Sequence, residues 1–208
     1  MSQIAVVDYG MGNLRSVVKA LEHVAPDGTH VVLTDAPEVV LESDRVVFPG
    51  QGAASRCMQA IDALHLRDAL RQAAQTRPFL GICMGMQVLL SRSEENHGVD
   101  LLDWVPGQVR KFAASPSLKV PQMGWNQLNQ RYDHPLFAGI ADGARFYFVH
   151  SYYCQPDDAQ VVAGHADYGV RYAAALAWDN VFALQAHPEK SAADGLKMLG
   201  NFTRWQGA

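Results

Sequence analysis

The sequence predicts one α/β domain over residues 1–208, with a largely parallel central sheet flanked by helices and antiparallel strands added in its second half. Three observations predict it. Strand-like and helix-like segments alternate through the first half, strand-like segments fill most of the second, and no linker, repeat or low-complexity stretch divides the chain. With 208 residues, 49% hydrophobic and 18% charged, the chain has the composition of a folded domain with a substantial core.

Residues 4–8 form a short β-branched run, and residues 13–24 place Leu14, Val17, Val18, Leu21 and Val24 on one side at helical spacing. Residues 30–33 and 45–48 are strand candidates. Between them Asp35 precedes Ala36-Pro37-Glu38, a helix start with Asp as cap and Pro in the first turn. Residues 53–64 and 66–74 read as helices. The apolar run 78–80 then leads as a strand into Cys83, and a helix-like stretch at 86–90 follows. Residues 108–112, 120–128, 145–153, 160–166, 173–178 and 181–185 are strand-like, separated by Gly, Pro, Asp and Asn. Residues 191–205 close the chain as a helix capped by Ser191, with Leu196, Leu199 and Phe202 on its apolar side.

The formal net charge of -4 leaves no basic footprint for nucleic acid. Apolar stretches fall short of the roughly 18 residues that a membrane span needs. The N-terminus has no basic segment ahead of its first strand, so no export signal is expected. Three scattered cysteines (Cys57, Cys83 and Cys154) suit a reduced cytoplasmic setting rather than a disulfide framework. No metal-ligand spacing occurs, and no cofactor is expected. Asp8-Tyr9-Gly10-Met11-Gly12-Asn13 falls short of a dinucleotide fingerprint, because Arg15 stands where the third glycine belongs, and there is no Walker lysine motif.

Chemistry concentrates in three segments. Cys83 lies in Gly81-Ile82-Cys83-Met84-Gly85, with a glycine two residues to either side, between a strand-like and a helix-like run. This is the pattern of a nucleophile elbow, where flanking side chains would collide with neighbouring backbone and the next helix stabilises a thiolate. A cysteine nucleophile needs a base and an orienting acid, and His187-Pro188-Glu189 supplies both types at the end of another strand. Acyl transfer also needs donors for the oxyanion. One is the N–H of Met84, directly after the nucleophile, and a second comes from Gly50-Gln51-Gly52 at a third strand end. Cys57 and Cys154 read as packing on a helix face and at a strand end.

Together these residues resemble the class I, triad-type glutamine amidotransferases, with a flavodoxin-like fold. Within that family the resemblance is closest to the glutaminase subunits of imidazole glycerol phosphate synthase. It runs over nearly the whole chain, and the discriminating segments are residues 8–16, 119–126 and 146–153. The resemblance implies that Cys83, His187 and Glu189 form the triad, and that Gln87 and Glu95 hold the amino acid end of glutamine. It implies that His150, Ser151 and Tyr152 line the same pocket, partly through backbone groups. It also implies a separate (β/α)8-barrel synthase as heterodimeric partner, met by segments carrying Asn13, Trp125 and Lys190, to which ammonia passes through an internal channel. Two positions depart from the family pattern. Ala186 stands where an aromatic commonly precedes the catalytic histidine, and Gln51 where valine is frequent.

Rival readings are the glutaminase subunit of pyridoxal phosphate synthase, a non-catalytic regulatory relative whose triad is a relic, and a cysteine hydrolase of the stress-protein type. The segments around Trp125 and His150 argue against the first. The intact triad argues against the second, and Gln87 against the third.

Overall fold

In the computed structural model the described residues are 2–116 and 118–207; Met1, Ser117 and Ala208, included in the expected 1–208 domain, lie outside them. Among the described residues the strands are β1 (Ser2–Val7), β2 (Thr29–Thr34), β3 (Arg45–Gly50), β4 (Phe79–Cys83), β5 (Leu90–Ser93), β6 (Val99–Asp100), β7 (Val105–Lys111), β8 (Gln122–Gln130), β9 (Ala144–His150), β10 (Tyr152–Pro156), β11 (Val162–Tyr168), β12 (Val170–Trp178) and β13 (Val181–Leu184). The helices are α1 (Leu14–Val24), α2 (Pro37–Glu42), α3 (Ala54–Ala63), α4 (Leu66–Thr76), α5 (Met84–Gln87) and α6 (Ala192–Arg204).

The heart of the sheet is parallel, in the order β2-β1-β3-β4-β13. Side chains on successive residues point to opposite faces, and both faces are covered. Ile4 and Val6 join one core with Leu80, Ile82, Phe182 and residues of α1 and α6. Ala5 and Val7 join another with Phe48, Phe79 and residues of α3 and α4. Burial on both faces explains why these strands read as unbroken apolar runs. From β13 the sheet continues antiparallel through β12, β10 and β7, while β11, β8 and β9 branch from β12 as an antiparallel extension. This is the single α/β domain with a mixed sheet that the sequence predicts.

Several local expectations are corrected. The helix after Cys83 is one turn, α5, and the chain then enters β5, which pairs parallel with β7. Val88, Leu89 and Leu90 are all fully buried, so the segment has no periodicity by which to tell helix from strand. The dipole of so short a helix gives Cys83 little support. The expected strand at 145–153 is two strands that break at Ser151, β9 pairing with β8 and β10 with β7 and β12. Asp35 is not the cap of α2. Pro37 takes the first helical position, which puts Ala36 at the cap. Ser191 is the N-cap residue of α6 as expected, but its side chain makes no capping bond, because its hydroxyl donates to the His187 carbonyl at 2.6 Å and accepts from the Tyr147 N–H at 2.9 Å.

Candidate active site

Four neighbouring parallel strands, β1, β3, β4 and β13, release their C-terminal ends side by side, and the loop with Gly50–Gly52, the elbow at Cys83 and the His187–Glu189 turn lie at the ends of β3, β4 and β13. Ligands of open α/β sheets bind at this edge. In the β3–β4 register Gly50 lies opposite Cys83, and in β4–β13 Ile82 lies opposite Leu184. The Gly50–Gly52 loop therefore flanks the cysteine on one side and the Gln185–Glu189 segment flanks it on the other.

Cys83 has φ 56° and ψ -106°, a conformation that a side chain adopts only under strain, as a nucleophile elbow requires. Its side chain lines a cavity of about 320 Å³ with Gln51, Gly52, Met84, Gln87, Glu95, Pro121, Val149, His150, Ser151, Tyr152 and His187. Gly50 and Glu189 stand just behind, with Asn13, around a much smaller cavity. All the expected catalytic, oxyanion and pocket residues thus converge on one place. Trp125 is exposed on β8, edge-on to Tyr147 at 6.2 Å, and Lys190 sits in the short turn after His187. Neither lines the cavity. Ala186 is fully buried.

The buried His187 ring is held at Nδ1 by the Glu189 carboxylate at 2.9 Å. Burial opposes a charge on this imidazole, but the Cys83 sulfur and Glu189 more than offset it and raise its pKa to about 10. Nε2 has no geometrically formed hydrogen bond, although the neighbouring Cys83 sulfur raises the pKa of the ring. The pair is poised rather than closed, as catalytic pairs often are before substrate binds. Burial pushes the Cys57 thiol up to about 12 and raises the Cys154 thiol as well, so neither competes as a nucleophile.

Glu95 has a structural task besides lining the cavity. Its Oε2 accepts from the Ala54 N–H at 2.6 Å, at the start of α3 where Ala53 provides no side-chain cap. Its other oxygen remains for a ligand. Gln87 donates from Nε2 both to the Tyr152 carbonyl and to Gln185 Oε1, each at 3.0 Å, so only its Oε1 remains to accept from a ligand. Gln185 itself was not singled out by the sequence. It is an amide at the end of an otherwise apolar strand, fully buried, with Nε2 3.7 Å from Cys83 Sγ. Among the described residues no group of three or more His, Cys, Asp and Glu side chains is placed to hold a metal ion.

His150 supports the far wall. Its Nδ1 lies 2.7 Å from the Tyr152 carbonyl and therefore carries the proton, while Nε2 lies 3.4 Å from the Tyr172 hydroxyl. Burial, against the pull of that carbonyl, lowers its pKa to about 4. The unfolded chain therefore binds a proton here that the native chain refuses between about pH 6.5 and pH 4, and stability falls as pH drops through that window. The loss from this group is about 3 kcal/mol at pH 4. Urea midpoints measured at pH 7 and pH 4.5 should differ less in H150N than in the wild type; equal slopes would remove His150 as the cause. His187 works in the opposite sense, its contribution being full below about pH 6.5 and lost as pH rises through 10.

A wider, open groove of about 1110 Å³ lies at the other end of the sheet, lined by Ser2, Arg45, Arg77 and Arg204 among others. Its arginines are engaged with backbone carbonyls, Arg45 with that of Trp205, Arg77 with those of Leu41 and Ser43, and Arg204 with that of Gly200. None of the expected site residues reaches it.

A model of the family glutamine amidotransferase class-I matches residues 5–204. The chain is 52% identical over 206 residues to imidazole glycerol phosphate synthase subunit HisH of Hydrogenovibrio crunogenus, covering 98% of this chain and 97% of that protein. It is 55% identical over 212 residues to imidazole glycerol phosphate synthase subunit HisH 1 of Pseudomonas aeruginosa, covering 100% and 99%. Among solved structures, PurLQS from Thermotoga maritima matches with a TM-score of 0.69 at 20% identity, over 98% of each chain, a likeness of fold.

Proposed function

The chain belongs to the class I glutamine amidotransferases, in the group of imidazole glycerol phosphate synthase HisH subunits, and on that premise we propose that it hydrolyses glutamine and passes the ammonia to a (β/α)8-barrel synthase subunit in a heterodimer. It is a glutaminase subunit of histidine biosynthesis. The observation that carries the reading is the meeting of Cys83, the His187–Glu189 pair and the Gly50–Gly52 loop at one cavity.

The Cys83 thiolate attacks the side-chain carbonyl carbon of glutamine. The N–H groups of Met84 and the Gly50–Gly52 loop receive the oxyanion, a contribution of about 3 kcal/mol per donor. The His187 imidazolium, whose charge Cys83 and Glu189 favour against burial, gives its proton to the departing nitrogen. The C–N bond breaks, ammonia leaves, and a γ-glutamyl thioester remains. Neutral His187 then takes a proton from water, whose oxygen attacks the thioester and frees glutamate and the sulfur. Glu189 holds the ring throughout. The free acceptors of Glu95 and Gln87 suit the substrate's α-ammonium group. The cavity is near the small end of the roughly 300–1,000 Å³ usual for ligand sites.

The barrel docks where Asn13 and Trp125 are exposed, with Lys190 close by, next to Met123 at 65% exposure. Trp125 leans on Tyr147, whose carbonyl accepts the His187 N–H at 2.8 Å, so pressure on the tryptophan reaches the base through one residue. The barrel uses the ammonia to make imidazole glycerol phosphate and aminoimidazole carboxamide ribotide. The three free cysteines suit the cytoplasm, and among the described residues no helix is long and apolar enough to cross a membrane.

The test is reconstitution. Free ammonia should support the barrel without this subunit, glutamine should support it only when both are present, and glutamine hydrolysis should rise when the barrel's substrate site is filled. A barrel that uses glutamine unaided would end the proposed division of labour.

A further inference from the structure

We propose that Gln185 is a catalytic residue that holds the Cys83 sulfur with an N–H donor, its amide orientation imposed through Gln87 by the backbone carbonyl of Tyr152. This deepens the glutaminase reading and rests on it for its kinetic consequences. The chain of polarity starts from a group with one possible role. The Tyr152 carbonyl is an acceptor only, so the Gln87 atom 3.0 Å from it is the amide nitrogen. That same nitrogen lies 3.0 Å from the Gln185 side chain, so the Gln185 atom facing it is the oxygen. Its nitrogen then faces away, toward Cys83 Sγ at 3.7 Å.

A side-chain amide is otherwise free to turn over, since its oxygen and nitrogen ends have nearly the same size and shape. Here a turned Gln185 would set its oxygen against the sulfur and its nitrogen against the Gln87 nitrogen, two repulsions at a fully buried amide. The site is closed enough to make this decisive: Gln185 is fully buried and Gln87 nearly so. The backbone sets the distance. Ile82 and Leu184 are partners in the parallel β4–β13 pair, which brings the next residues, Cys83 and Gln185, out at the same level. The His187 imidazolium and the oxyanion amides are already assigned to other atoms of the reaction. Gln185 supplies the sulfur with a neutral donor that stays in place while His187 gives up its proton, and it favours thiolate as leaving group when the thioester is cleaved.

The test follows alkylation of Cys83 by iodoacetamide across the acid, neutral and alkaline range in the full chain, for wild type, Q185M and Q185E, with ammonia release from glutamine measured in parallel in the presence of the barrel subunit with its substrate site filled. Q185E keeps the shape of the side chain and the acceptor for Gln87, but turns an anionic oxygen toward the sulfur. In Q185M the alkylation profile should move to higher pH by about one unit, the loss of one charge-assisted hydrogen bond, and in Q185E further. In both, kcat should fall about tenfold or more while KM stays within about threefold. Profiles that superimpose on the wild type in both variants overturn the assignment, as does a raised KM with kcat intact, which would make Gln185 a pocket wall only. The alkylation result reports on the sulfur whatever the substrate is. A wild-type chain that releases no ammonia even with the barrel subunit present and its substrate site filled would therefore end the glutaminase reading and leave the role of Gln185 to be decided by the profiles.

Discussion

Replacing Cys83 by Ala is expected to lower ammonia release from glutamine by about 10,000-fold or more, while glutamine still binds. The reason is that the cavity offers no second thiol. Cys57 and Cys154 are buried elsewhere, with thiols that burial holds protonated. Alanine keeps the Cβ, so the elbow retains its torsions and the Met84 N–H its direction. What survives is a cradle of donors around an amide, with water as the only attacking group. Four powers of ten correspond to about 5.4 kcal/mol of transition-state stabilisation, more than the ~3 kcal/mol that one oxyanion donor is worth. Folding should suffer little, since the change leaves one amide donor, Gln185 Nε2, without its sulfur, at about 1 kcal/mol. Calorimetric titration of C83A with glutamine, beside an assay for ammonia, separates binding from turnover. Turnover within tenfold of the wild type would sink the thioester mechanism.

The parallel half of the fold was legible because its strands and helices announce themselves in different ways. Leu14, Val17 and Leu21 repeat at helical spacing and are buried on one side of α1, while β1 and β3 are continuous apolar runs covered on both faces. Legibility failed where the local pattern was compatible with two structures. Residues 88–90 are buried all round, and only the pairing of β5 with a strand fifteen residues later decides that they are not helical. Ser191 has the residue type and position of a cap, yet its hydroxyl is taken by Tyr147 and His187, contacts across more than forty residues and across four.

The site divides in the same way. The elbow, the His-Pro-Glu turn and the glycine loop were visible because each has to be built from particular residue types at fixed spacing. Their meeting was expected from the resemblance alone, because it depends on β13 inserting beside β4 with about 100 residues of chain between them, and no local pattern encodes that. Gln87 and Glu95 came from resemblance and do line the cavity, but the structure adds what spacing could not: each has part of its hydrogen-bonding capacity committed to the protein. Gln185 was missed because an isolated amide carries no motif. Its meaning lies in which atom faces the sulfur, and the Tyr152 carbonyl determines that.

Gly85→Ala should be the most damaging change of a single methyl group in the chain, destabilising it by about 3 kcal/mol or more and lowering Tm by roughly 6–12 °C. A Cβ at position 85 would lie 1.8 Å from the Phe48 carbonyl oxygen and 2.9 Å from its carbon. Phe48 belongs to β3, which is paired on both sides, with β1 and with β4, so its backbone has little room to yield. The alternative is for the elbow to move, and it packs closely on β4 as well: a Cβ at Gly81 would lie only 2.7 Å from the Gly85 oxygen. Either way Cys83 and the Gly50–Gly52 loop shift relative to one another. A displacement of about 1 Å between nucleophile and oxyanion donors costs on the order of 100-fold in rate, so kcat should fall even at temperatures where the variant is fully folded. Gly200→Ala is the matched control. It lies inside α6, where the added methyl would meet the flexible end of Arg204 at 3.2 Å and Val24 at 3.6 Å, and where helix propensity favours alanine by about 1 kcal/mol. That variant should melt at or above the wild-type temperature with activity unchanged. A Gly85→Ala protein with the wild-type melting temperature and turnover would mean that the elbow does not press on β3 as described, and the tight seat that aims Cys83 into the cavity would have to be abandoned.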